Sequence, residues 1–177
     1  MESTKLLNIL INLFYYIILI TGIMVSGIMI YAGIFDDGVG IVVDNATGII
    51  IDDSYEAHLS LKDYVKIGIA LLAMFFFIKS VFHLRIATLK MIHGQMFSPV
   101  VARHLKLTGL TMITYKTLSL IREQYSQYVN EGTFTIGLDF SGFESFIFIL
   151  ILGLFFILLS NVIQRGITLQ DENALTI

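Results

Sequence analysis

The chain has no cysteine, a single proline and few charges. Without cysteine, disulfides, thiolate catalysis and Cys-based metal or haem attachment are excluded. Charged residues make up 14% of the sequence against 56% hydrophobic, with a mean hydropathy of +0.82, outside the range of soluble domains. The formal net charge of −3 offers no basic surface for nucleic acid, so no direct nucleic-acid contact is expected. Catalytic signatures are missing too. His58, His83, His93 and His104 include no pair at i, i+4 spacing, and neither H-E-x-x-H nor G-x-S-x-G occurs. No metal, cofactor or enzymatic activity is therefore expected.

What the chain does have is long uncharged runs. From Leu6 to Phe35 there is no charged side chain, enough for a helix of about 45 Å against a hydrocarbon core of about 30 Å. The run is too long for a cleavable signal and ends at Asp36 and Asp37, so a retained anchor is expected. Further crossings are expected near 64–84, 104–123 and 143–163, the first at 7–34. The third is interrupted by Thr108, Thr111, Thr114, Lys116 and Thr117, which suits the most protein-enclosed helix; an interfacial amphipathic helix is the alternative.

Charge position sets orientation. Arg85, Lys90, Arg103 and Lys106 lie between the second and third crossings with no acidic residue among them, whereas Asp36, Asp37, Asp44, Asp52, Asp53 and Glu56 follow the first. By the positive-inside rule, the loop 85–103 and tail 164–177 are expected to be cytoplasmic, as are both termini, and the loops 36–61 and 124–142 to lie on the outer side of the membrane. The outer loops carry strand patterns. Ile41–Asp44 and Ile49–Ile51 flank the turn Asn45–Gly48, and Thr133–Phe140 alternates with a period near two. The expected fold is thus an all-α membrane protein, one domain over 1–177. It is a four transmembrane helix bundle with a small extracytoplasmic β-hairpin or three-stranded sheet from the two outer loops. Ser98 before Pro99 predicts the N-cap of the third helix, after a break at Gly94.

Lys116, with Thr111 and Thr108, forms the candidate intramembrane polar set, since ionisable groups at membrane depth are functional candidates. Against this stands a snorkelling Lys116 or a structural pair with Glu144. Gly22 and Ser26, like Asn8 and Asn12, stand four apart and predict helix packing; a homodimer through Gly22 and Ser26 is the alternative. After the fourth crossing, Asp171, Glu172, Leu175 and Ile177 form an acidic and apolar end suited to a partner contact.

Gly94, Met96, Phe97 and Ser98, then Leu105, Lys106 and Gly109, resemble the Gly-x-Pro-Phe-Ser/Thr element followed by Leu-Arg and Gly of the domain of unknown function 2975 family. Gly166, Leu169, Glu172, Leu175, Thr176 and Ile177 resemble that family's Gly-x-x-Leu-x-x-Glu-x-Asp-Leu-Thr-Ile ending. Met96 replaces the usual proline and Ala174 the usual aspartate. The resemblance implies a four-helix membrane protein, often encoded beside a helix-turn-helix regulator, with no established catalytic activity. It carries over structural positions only. The expected function is a non-enzymatic membrane sensor or regulatory partner of such a cytoplasmic regulator. The alternative is a small transporter or immunity-type membrane factor with a polar path along helix three.

Overall fold

The computed structural model describes residues 2–34, 40–44, 48–52, 61–132 and 145–174. Four long helices dominate: α1 (Glu2–Ile34), α2 (Leu61–Ile92), α3 (Pro99–Glu131) and α4 (Phe146–Ala174). They run alternately up and down. Asn12 meets Arg85 and Ser26 meets Met74, His83 meets His104 and Phe77 meets Tyr115, and Ala102 meets Ser160. Each pairing is antiparallel. The extensive interfaces join α1 to α2, α2 to α3 and α3 to α4, so α3 is the central partner and α1 is attached to α2 at the side.

Local chemistry sets the helix ends. α2 closes in a Schellman turn: Gly94 takes a left-handed φ of 78°, its N–H donates to the Met91 carbonyl (3.0 Å), and Gln95 N–H donates to the Lys90 carbonyl (3.1 Å). α3 starts after Ser98, whose extended backbone (φ −128°, ψ 146°) aims the hydroxyl at Val101 N–H, with Pro99 supplying the helical φ of the first turn. Gly132, at φ 69°, ends α3 by donating to the Tyr128 carbonyl. Ser145 caps α4 by accepting from Phe148 N–H at 3.2 Å. The expected Ser98 cap and the Gly94 break are both present. Ser98→Ala is expected to lower stability by about 1 kcal/mol, read as a lower thermal midpoint in detergent.

Apart from Val101, Leu105 and Ile163, the buried residues are small or hydroxylated. Ala73, Ala87, Ala102, Ser80, Thr108, Ser145 and Ser160 are buried, while Leu72, Phe75, Leu154, Phe155 and Leu158 (61% exposed) point outward. α3 and α4 touch backbone to backbone at Gly109 and Gly153. Such small-residue seams under an apolar exterior are how helices pack when the solvent is lipid. Gly22 of α1 lies against Ile78 and Met74 of α2, and the Ser26 hydroxyl donates to the Gly22 carbonyl at 2.7 Å. That small-residue pair packs within the chain.

Two features correct the expected fold. The β element is not a component of the fold: the described body is an all-α assembly of helices, and no sheet packs upon it. Among the described residues β1 (Gly40–Asp44) and β2 (Gly48–Asp52) pair only with each other, antiparallel, with Val42 opposite Ile50. No three-stranded sheet joins the two loops among the described residues, and the candidate strand 133–140 lies outside them. A two-stranded ladder without a covering layer has no core of its own and adds little to stability. The second correction concerns the connection between α2 and α3: α2 runs through Arg85 to Ile92, so this connection is confined to 93–98. Among the described residues three helices are long and apolar enough to cross a membrane, over Leu6–Tyr31, Leu61–Ile92 and Phe146–Ala174; α3 is of similar length and more polar.

Candidate functional site: the basic end of the helix assembly

The up-and-down order brings the start of α1, the end of α2, the start of α3 and the end of α4 to one end of the molecule. Lys90, Arg103, Lys106 and Arg165 all belong to this end. Its foundation is a cluster of Ala87, Val101, Ala102, Leu105 and Ile163, all buried, with Met91, Phe156, Leu159 and Ile167 packed around it. Small residues here let three helices converge. The Ser160 hydroxyl donates to the Ala102 carbonyl at 2.6 Å, pinning α4 to α3, and the Ser80 hydroxyl donates to the Thr108 carbonyl at 3.3 Å, pinning α2 to α3. Both hydroxyls are buried, where an unmade bond would cost about 1–3 kcal/mol.

Above this cluster the connection 93–98 folds onto α4. The Phe97 ring covers Gly166: a β-carbon there would lie 2.7 Å from Cε1 and 2.8 Å from Cδ1 of Phe97. Residues far apart in sequence thus form one contact, and Gly166 leaves the space the ring occupies. Beside it, a cleft of about 370 Å³ opens between α3 and α4, lined by Pro99, Ala102, Arg103, Lys106, Ser160 and Gln164, with Ile167 and Thr168 at its outer wall. Beyond Ile167, α4 continues into the open, and Leu169 is 59% exposed.

Two polar contacts lie deeper. Arg85 Nε donates to Asn12 Oδ1 at 2.6 Å, Asn12 in turn donates to Asn8 Oδ1 at 2.7 Å, and the guanidinium stands 4.9 Å from the Tyr15 ring and 5.5 Å from that of Tyr16. Among the described residues an amide and two aromatic faces therefore solvate this cation, with no carboxylate paired to it. The Nδ1 atoms of His83 and His104 are 3.0 Å apart, so one ring donates and the other accepts. Among the described residues no group of three His, Asp or Glu side chains stands close enough to hold a metal ion.

The candidate residues chosen from sequence do not form one site. Thr108 is buried and its hydroxyl donates to the His104 carbonyl (2.9 Å); that of Thr111 reaches the Leu107 and Thr108 carbonyls (2.7 and 3.1 Å). Each bonds its own helix. Lys116 lies two turns further along α3, half-buried, with no ion pair among the described residues; Glu144, its candidate partner, lies outside them. Asp171 and Glu172 are exposed on the projecting end of α4, and Leu175 and Ile177 lie outside the described residues. Sequence reasoning missed the Phe97–Gly166 contact, although both residues stood in the motifs it singled out. It also missed the cleft and the His83–His104 pair, for which pairing between helices leaves no spacing signal.

An apolar exterior around a seam of small and hydroxylated residues, on helices long enough to span a bilayer, defines an integral membrane protein with several crossings. Residues 49–177, which include α2, α3 and α4, match the family model described as Protein of unknown function (DUF2975), and the chain belongs to that family. α1 precedes the matched region. No curated protein and no solved structure matches the chain.

Proposed function

We propose that this is a non-enzymatic regulatory membrane protein that presents the projecting end of α4 to a cytoplasmic partner. The observation that carries the reading is the Phe97 ring seated on Gly166, which couples the α2–α3 connection to the helix that leaves the body. A shift of α2 against α3 would then move the exposed surface of Leu169, Asp171 and Glu172. A helix-turn-helix regulator is the partner that the family resemblance implies.

In this reading α3 is a fourth crossing. It follows α2 from His104 beside His83 to Asn130, whose side chain accepts from Lys66 at 3.5 Å, a course that a helix lying on the bilayer surface would not take. Its threonine hydroxyls, bonded to carbonyls one turn back, no longer present bare polar groups to their surroundings. The same bonds argue against a polar transport path through Thr108 and Thr111. The basic end faces the cytoplasm of a bacterial inner membrane, as the positive-inside rule requires, with both termini there.

A photo-reactive side chain at Leu169 tests the proposal in living cells. It is expected to trap a cytoplasmic regulator, with the adduct lost on deletion of 171–177 and altered by Gly166→Leu, which displaces Phe97. An unchanged adduct pattern and unchanged downstream transcription in both variants would refute the mechanism.

A further inference from the structure

The cleft between α3 and α4 has a chemistry that partner docking does not use. Arg103 and Lys106 line one side, a turn apart on α3, and both are exposed without an ion pair to any described carboxylate. Gln164 faces them from α4. The neighbouring hydroxyls are already committed, Ser160 donating to the Ala102 carbonyl and Thr168 to the Gln164 carbonyl at 3.2 Å. The groups left to bind a ligand are thus two cations and an amide, all able to donate. A cleft of about 370 Å³ with convergent donors is within the size of small-ligand sites.

Its depth identifies the ligand further. The uncharged run of α4 ends at Gln164, just before Arg165, so the cleft sits where that helix leaves the hydrocarbon. One turn deeper than Lys106 on α3 is Leu110, 45% exposed, which offers an apolar track below the cations. We propose that this cleft binds the phosphate group of an anionic phospholipid, with Arg103 and Lys106 on the phosphate oxygens, Gln164 beside them and an acyl chain along Leu110. Basic pockets between membrane helices on the cytoplasmic side are suited to such headgroups.

Native mass spectrometry of the detergent-purified full chain with phosphatidylglycerol or phosphatidylcholine provides the test. The unaltered chain is expected to retain phosphatidylglycerol at least about tenfold better. Arg103→Gln with Lys106→Gln should bring the two lipids to near parity, while Arg103→Lys keeps most of the preference. Lys90→Gln with Arg165→Gln removes two charges from the same end outside the cleft and should leave the preference intact. An equal loss in that control pair, or no preference in the unaltered chain, would overturn the proposal. Displacement of the lipid by millimolar inorganic phosphate would assign the cleft to a soluble phosphate and overturn the lipid assignment. Should the double variant show a lowered thermal midpoint, Lys106→Gln and Gln164→Leu singly carry the same comparison, each expected to weaken the preference; two unaffected singles would refute the site.

Discussion

Replacing Gly109 by alanine is expected to separate α3 from α4. A β-carbon at this position would collide with the carbonyl oxygen of Gly153, lie 2.7 Å from Ile157 Cγ1 and stand 3.3 Å from Ile157 N. Two of these three obstacles are backbone atoms of a continuous helix, which cannot yield by a rotamer change. Overpacking a tight interior usually costs about 1–3 kcal/mol, and an obstruction made of backbone belongs at or above the top of that range. Gly153→Ala makes the informative comparison. Its β-carbon would meet the Ile113 side chain at 2.7 Å and the Gly109 carbonyl at 3.0 Å, so part of the strain can be relieved by moving Ile113. Gly109→Ala should therefore lower the thermal midpoint in detergent more than Gly153→Ala. Cross-linking between cysteines placed at Ala102 and Ser160 should fall in the same order. Equal, small effects from both would mean that the two helices do not meet at this seam.

Asn12→Leu is expected to release α1 from α2 with the rest of the molecule intact. Arg85 receives one strong acceptor from α1, at 2.6 Å, together with the faces of Tyr15 and Tyr16. Removing the amide leaves the guanidinium with only the aromatic faces among the described residues, a loss of about 1.5–3 kcal/mol for a charge-assisted bond. That is large for an interface whose other contacts include Gly22 against Ile78 and Met74, Ser26 beside Met74 and the Tyr15 ring 6.0 Å from that of Phe82. The natural absence of cysteine makes the measurement clean. Ser26→Cys with Met74→Cys should be joined by a short bifunctional thiol reagent in the parent chain and poorly joined in the Asn12→Leu background. Arg85→Leu combined with Asn12→Leu should restore part of the yield, since it removes the stranded cation too.

Much of this architecture is legible in the residues, and the parts that are not share a physical cause. α1, α2 and α4 follow from uncharged runs, because a bilayer tolerates little else over that length. The start of α3 follows from Ser98 and Pro99, whose effects are local. The character of α3 is harder to read, since composition counts its threonines as polar while Thr108, Thr111, Thr114 and Thr117 each bond a carbonyl one turn back. Arg85 reads as a loop residue by its charge alone, and only the position of Asn12 and the tyrosines on another helix explains why it sits within α2. The outer sheet was overread because alternation marks a strand without showing whether anything will cover its face. For the site, the basic residues and the two motifs were visible. Their meeting at Phe97 and Gly166 was not, since it depends on the antiparallel order of α3 and α4.

The single-file arrangement of the helices carries a consequence for biogenesis. Among the described residues every extensive interface joins helices or strands that follow one another in the chain, so no helix has to wait for a distant one before it can be buried. Each helical hairpin can dock as soon as its second member leaves the insertion machinery, with contacts of short sequence separation and a small loop-closure cost. The buried Ser160 hydroxyl on the Ala102 carbonyl belongs to α4, and this bond forms only once that helix has emerged. Assembly of the basic end thus waits for α4, and a ribosome stalled before α4 would leave that end unfinished.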